Sequence, residues 1–398
     1  MRRVRLIILA ILVLAITSPG VAWGVGNIHL GKTKIYPYLN VKGLYTTNVF
    51  ASAENYEDDF IASYVPGIRF ELPIRKHTIL LDYNLVNTKH DEYDSENTTS
   101  HNGHLFMNFN IGSSFSLAIK NKYKKAHEPR GSSATGDIEQ YKTNDASVTI
   151  TQKMAEIAKL QVLYSHVIWD YKNPANAFRE REVDTLAAYF YFTLLPKTSI
   201  FLEYDRSEVD YYSTDLTAPV GAQSYDSRNQ RAYLGFTWKM SGKSAGTIKT
   251  GYQWRQYFLD TVGKYNTWVA SIDLNHDFSK TSSLKIVGER VINETSLFST
   301  RFFVSTGYHI EFNQKFGRQF KGTLRAGGVE DTFSDPDPTA ALLEKRKDRR
   351  SQLGASFAYL MNETISFAFD YDYYYRDSNV DVNDYIDNRY QLSINFKM

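Results

Sequence analysis

The last thirty-odd residues, Thr364 to Met398, constrain the fold of this chain more than any other stretch. From Ile365 to Arg376 they read ISFAFDYDYYYR. Ile365, Phe367, Phe369, Tyr371, Tyr373 and Tyr375 alternate with Ser366, Ala368, Asp370, Asp372, Tyr374 and Arg376. A period of two sends alternate side chains to opposite faces of a strand. Strands of soluble sheets usually end after five or six residues, whereas this one runs on, turns through Asp377 to Asn383, and resumes. In the return, Tyr390, Leu392, Ile394 and Phe396 oppose Arg389, Gln391, Ser393 and Asn395. Long paired strands, aromatic on one face and hydrophilic on the other, suit the wall of a transmembrane barrel.

The N-terminus agrees. Arg2, Arg3 and Arg5 precede an apolar stretch from Leu6 to Ile16, and Ala22-Trp23-Gly24 follows with small residues where a signal peptidase reads. That core is too short to cross a bilayer of about 30 Å as a helix, so residues 1–24 are expected to be a cleaved secretory signal and 25–398 the barrel. Beyond Gly24 no apolar run approaches eighteen residues, which leaves no helical span. The chain has no cysteine, so it can build neither a disulfide framework nor a thiolate metal site. A mean hydropathy of −0.41 looks soluble, yet 29 Tyr and 24 Phe are present. Alternation of lipid-facing with water-facing residues reconciles the two. With 46 Lys plus Arg against 44 Asp plus Glu, there is no global field to attract nucleic acid.

Along the chain, strands alternate with short turns and longer loops. Expected hairpins include 60–72 with 76–86, 101–111 with 115–124, 141–152 with 158–171, 182–194 with 198–212, and 227–240 with 246–258. Then come 265–278 with 282–293, 298–313 with 318–332, a longest loop at 333–347, the strand 348–360, and the closing hairpin. With the first strand, 36–46, the count is eighteen; sixteen is the alternative if boundaries shift, and a soluble β-solenoid or pair of sandwiches is the rival architecture. Outer-membrane barrels have short turns in the periplasm and long loops outside, so both ends of this one should be periplasmic. Leu186, Ala188, Phe190, Phe192 and Leu194, and likewise Ala232, Leu234, Phe236, Trp238 and Met240, should meet lipid. Trp238, Trp169 and Trp254 suit aromatic girdles.

The opposite face should line the lumen: Arg255 with Gln253, Asp273 with Asn275, Arg301, Glu311, Arg325, Gln352, Asp370, Asp372, Arg376 and Arg389. Charge in a dry core is costly, and a ring of this size leaves an aqueous interior. Each charge can alternatively serve only to pair across neighbouring strands. Catalytic signals are poor. Ser305 and His309 share a face but stand about 13 Å apart along a strand, and Asp370 with Asp372 read better as partners of nearby arginines than as an acid pair. No phosphate loop, zinc spacing or calcium loop appears, so no cofactor is expected.

Thr47-Asn48-Val49-Phe50 and Tyr64-Val65-Pro66-Gly67-Ile68 near the start, and Arg376-Asp377-Ser378-Asn379, Asp384-Tyr385 and Asn388 near the end, resemble the outer-membrane β-barrel porin family found in exopolysaccharide and capsule gene clusters. The resemblance implies a pore serving secretion of an extracellular polysaccharide. A general or sugar-selective diffusion porin is the alternative, and an outer-membrane lipase, a protease or an adhesive barrel stand further off. The partners implied are membrane lipid and lipopolysaccharide, the barrel-assembly machinery, a periplasmic polysaccharide-export protein, and polysaccharide or small hydrophilic solutes. Outer-membrane barrels often finish on an aromatic residue; here Lys397 and Met398 follow Phe396.

Overall fold

Every backbone N–H and C=O that meets hydrocarbon must find a partner within the chain, and a sheet can satisfy this only by closing on itself. The computed structural model, which describes residues 28–128, 139–212, 226–240, 242–258, 263–295, 300–336 and 344–397, shows that closure. In chain order the strands are β1 (Ile28–Leu30), β2 (Thr33–Thr46), β3 (Asp59–Ile74), β4 (His77–His90), β5 (Thr98–Ile111) and β6 (Phe115–His127). Next come β7 (Gln140–Met154), β8 (Ala158–Tyr171), β9 (Arg181–Leu195), β10 (Thr198–Tyr211), β11 (Ser227–Met240) and β12 (Ser244–Tyr257). The last are β13 (Lys264–Asp277), β14 (Ser282–Glu294), β15 (Phe302–Phe316), β16 (Phe320–Pro336), β17 (Lys345–Leu360), β18 (Ile365–Ser378) and β19 (Tyr385–Lys397). Every sequential pair is antiparallel, and β19 pairs with β2 from Arg389↔Thr46 to Lys397↔Tyr38. Eighteen long strands therefore form one ring, which removes both the sixteen-strand count and the soluble alternatives. The three-residue β1 pairs with the start of β2. The signal-peptide reading of residues 1–24 lies outside the described residues.

Turns of two to four residues alternate with longer connections. The tight turns rely on left-handed backbone, at Arg75 (φ 55°) and at Gly242 (φ 71°). Gly242 has no Cβ to clash in that region. One loop boundary needs correction. Phe333 to Pro336 and Lys345 to Lys347 belong to β16 and β17, so the connection expected at 333–347 shrinks to 337–344, and 212–226 is longer. The cause is nonlocal: the Phe333 ring packs on Phe303 at 5.3 Å, and Ser334 Oγ accepts the backbone N–H of Phe302 at 3.2 Å.

Register carries one parity to the inside all round the ring, and the chemistry follows it. Leu186, Phe190, Leu202, Leu234, Leu324, Leu353, Phe369 and Leu392 all present exposed side chains outward. Trp254 and Trp238 also point outward, the latter donating Nε1 to Ser244 Oγ at 2.9 Å. Trp169 does not join them: it aligns with Thr143 and with inward Arg181 and lies 5.5 Å from Tyr141. Its apolar ring is claimed by stacking at the lumenal mouth.

Phe369→Arg places a charge on the lipid face and should cost about 2–4 kcal/mol, while Ser366→Arg, on the inner face beside a 460 Å³ cavity, should be tolerated. Heat-modifiable gel mobility of the two variants checks this; equal loss of folded barrel would overturn the assignment of faces.

Candidate functional site

The interior wall divides into three regions of different electrostatic character. Along β16–β19 the charges neutralise one another. Arg325 Nη2 reaches Asp372 Oδ2 at 3.1 Å and Asp370 Oδ1 at 3.4 Å. Gln352 Nε2 donates to Asp372 (3.2 Å) and to Tyr374 Oη (3.0 Å). Arg389 Nε donates to buried Asp387 at 2.6 Å and its guanidinium lies 4.6 Å over the Tyr374 ring. Higher up, Asp348 accepts from Arg346 (2.9 Å), Arg376 (2.5 Å) and Ser378 Oγ (2.7 Å). Arg325, Asp370, Asp372, Arg376 and Arg389 thus share the inward parity and are members of a hydrogen-bonded lattice, the pairing across strands that was the alternative reading of these charges. Arg376 is only 12% exposed at its side chain.

The second region is β6. Lys120, Lys122 and Lys124 all point inward, opposite Phe106, His104 and Asn102 on one side and Ser147, Asp145 and Thr143 on the other. All three are exposed. Lys120 Nζ stands 5.9 Å from the Phe106 ring centre and Lys124 Nζ 5.4 Å from that of Tyr141. None forms an ion pair among the described residues. This file of ammonium groups was missed by sequence reasoning, although the signal was present: Lys at alternate positions of one predicted strand. Counting round the ring, β6 lies opposite β15, where Glu311 and His309 face in.

In the third region, on the upper inner face of β10–β13, the side chains are covered. Arg255 and Gln253 were expected to line open lumen, yet they are 1% and 2% exposed. The upper ends of β14 and β15 lie over them, and Arg255 Nη2 meets Glu294 Oε1 at 2.6 Å. Of the remaining expected residues, Asp273 is inward and exposed, accepting from Asn275 at 3.3 Å. Arg301 precedes β15 rather than lying on it, and pairs with Asp335 at 3.4 Å. Ser305 and His309 are not brought together. Their backbones align with Val291 and Val287, two inward positions apart on β15.

The mouth over β6–β9 is narrowed by the short helix Pro174–Arg179. Its Arg179 stacks 4.2 Å over the inward Tyr171 ring and pairs with Glu128 at 2.5 Å. Buried Asn176 donates to Glu139, whose carboxyl is pushed above its ordinary value by burial even though that hydrogen bond and Arg179 lower it.

A closed antiparallel ring of eighteen long strands, apolar outside and polar within, defines an integral outer-membrane β-barrel porin. The family model described as putative beta-barrel porin 2 matches residues 24–398, and the chain belongs to that family. Among solved structures it is similar to Pseudomonas aeruginosa OccK2 (OpdF), with a TM-score of 0.51 at 9% identity, covering 94% of this chain and 99% of that one. The same protein in complex with glucuronate gives 0.50 at 10% identity, with 94% and 99% covered. Acinetobacter baumannii OccAB3 gives 0.49 at 8% identity, with 93% and 100% covered. At these identities the likeness is one of fold. No curated protein matches the chain.

Arg376→Glu would set two carboxylates against each other at a nearly buried site, and should cost about 3–5 kcal/mol of barrel stability. Lys122→Gln, exposed and outside any ion pair, should stay within about 0.5 kcal/mol of the parent. Urea unfolding in lipid vesicles, followed by tryptophan fluorescence, checks both.

Proposed function

We propose that this barrel is a non-enzymatic, anion-preferring conduit for acidic, hydroxyl-rich solutes, and that a carboxylated extracellular polysaccharide is the polymer it exports. The exposed, unpaired file Lys120–Lys122–Lys124 carries the reading. Along β16–β19, by contrast, charges of both signs are locked into pairs and contribute little net field. On β6 three positive charges stand free toward the lumen, and a charged groove concentrates its counter-ions. Ammonium groups are compact, mobile point charges. They hold a carboxylate weakly and release it, and passage requires several weak sites rather than one strong one. Polar neighbours such as Asn102, Thr143 and Ser147 supply hydrogen-bonding partners for sugar hydroxyls along the same path.

Replacing Lys120, Lys122 and Lys124 together by Gln should lower the anion-to-cation permeability ratio, by about ten-fold at the low end of such field effects. The reversal potential across a planar bilayer in a salt gradient measures it. An unchanged ratio in a folded triple variant would remove β6 from the conducting path. Surface polysaccharide in cells carrying the same variant separates the two grades of the reading: reduced polymer supports export, whereas normal polymer with altered selectivity leaves a diffusion porin for small acidic sugars.

Orientation is tested separately. A peptide tag inserted at Val382, exposed in the loop between β18 and β19, should be labelled on intact cells. One inserted at Gly242 should be labelled only after the outer membrane is opened.

A further inference from the structure

The ladder between β13 and β14 runs from Asp277↔Ser283 up to Ala270↔Arg290 and stops there. Both strands continue on their other sides, β13 pairing with β12 as far as Lys264 and β14 with β15 as far as Glu294. Above the fork the two parts of the wall overlap. Ile292, Phe302 and Val304, which by parity should face outward, form a buried cluster with inward-facing Tyr257, and Tyr265 packs against it. The Phe302 ring centre is 4.5 Å from that of Tyr265. The ends of β14 and β15 therefore lie on the lumenal side of β10–β13. At the fork itself, Arg290 stands in for the missing ladder: it donates to Thr267 Oγ1 at 2.8 Å and to the Trp268 carbonyl, with its guanidinium 4.3 Å over the Trp268 ring.

Glu294 is seated where these strands overlap. Its carboxylate takes Arg255 Nη2 at 2.6 Å and the Tyr211 hydroxyl at 2.7 Å. Around it polar capacity is left over. Arg255 Nε, the Tyr257 hydroxyl and Gln253 Oε1 are buried with no hydrogen-bond partner among the described residues, and those three residues are 1%, 4% and 2% exposed. Buried polar groups that serve only to hold a wall together are nearly always satisfied. Here two donors and an acceptor are left without partners among the described residues, on and beside the arginine that holds the carboxylate.

We infer that the inner face of β10–β13 is a binding subsite for a carboxylated sugar, and that Glu294 occupies it as a tethered stand-in for the solute's acid group. Arg255 and Tyr211 hold the carboxylate. Arg255 Nε, Tyr257 and Gln253 are left for the sugar's hydroxyl and ring oxygens, and the Tyr257 ring offers an apolar surface. A solute that takes the seat displaces the ends of β14 and β15. The sequence provides for where they go. Continuing the existing register pairs Val269 with Val291, Trp268 with Ile292, Thr267 with Asn293 and Asn266 with Glu294. In that arrangement Ile292, Phe302 and Val304 become ordinary lipid-facing residues of the wall. This deepens the proposed conduit and rests on it, because the subsite needs solutes arriving through the lumen.

The test uses galacturonate as probe and galactose, which lacks the carboxylate, as control. Glu294→Gln removes the competing acid and should bind galacturonate about ten-fold more tightly than the parent, since apparent affinity scales with the fraction of barrels whose site is free; neither form should bind galactose. A second arm needs no change at Glu294. The chain has no cysteine, so Trp268→Cys with Ile292→Cys reports on the continued register, in which the two Cα atoms come within disulfide range. Galacturonate should raise the yield of that crosslink and galactose should not. Unchanged galacturonate affinity in folded Glu294→Gln, or a crosslink yield indifferent to galacturonate should that variant not fold, overturns the subsite. Anion preference of the parent pore, measured in the same bilayers, stands or falls independently of both arms and reports on the conduit itself.

Discussion

Closure between β2 and β19 is the constraint on which the rest of this structure depends. A strand edge left open in hydrocarbon would strand a row of N–H and C=O groups, each costing several kcal/mol. Joining the first long strand to the last abolishes that edge. It also fixes which parity faces in, because the register must agree after a full circuit of eighteen strands. The closing contact is reinforced above the ladder by side chains. Buried Asp387 accepts from Thr46 Oγ1 at 2.7 Å and from the Thr47 N–H at 3.1 Å, and Thr47 Oγ1 accepts the Asn388 N–H at 2.9 Å. Residues far apart in sequence thus complete one another's hydrogen bonding where the sheet meets itself.

Once parity is set, the energetics of the two faces separate. Outside, apolar and aromatic side chains need no mutual packing because lipid fills the space between them. Inside, the described residues form no continuous apolar core, and two small clusters of buried apolar residues lie near the mouth. Rigidity of the wall therefore comes from backbone ladders and from paired charges such as Arg325 with Asp370 and Asp372. The unpaired lysines of β6 stand apart from that logic. They add nothing to the wall, and their mutual repulsion works slightly against it.

Much of this was legible in the sequence, because a period of two is a local signal that survives without neighbours. The strand boundaries of β8 and β11 coincide with those expected from alternation and turn residues alone, and the faces of β9, β11 and β18 were assigned correctly. What alternation cannot supply is which strand segment lies over which. Trp169 has the look of a girdle residue until its register with Arg181 is known. Arg255 has the parity of a lumenal charge, but only the overlap with β14 buries it. Phe333 to Pro336 read as loop because Ser334, Asp335 and Pro336 are turn formers, and their role in capping Thr300 to Phe302 depends on a contact across the ladder. Arg376 and Arg389 were expected to pair with Asp370 and Asp372, whereas their partners are Asp348 and Asp387, which come from pairings and local geometry that alternation does not show. The lysine file on β6 was within reach of the same parity argument and needed no tertiary information.

The fork at Ala270 and Arg290 gives the barrel two different circumferences. At the short-turn end the girth is set by strand number and hydrogen-bond register, quantities that change only by whole residues or whole strands. At the other end one sheet segment overlaps its neighbour like the lap of a rolled sheet, and the bore is set by how far the lap extends. Its extent is governed by side chains: the size of Phe302 and Tyr265, the reach of Arg290, the pairing of Glu294. Substitutions at such positions can retune the mouth in fine increments while the strand count, the register below the fork and the membrane-facing surface remain as they are.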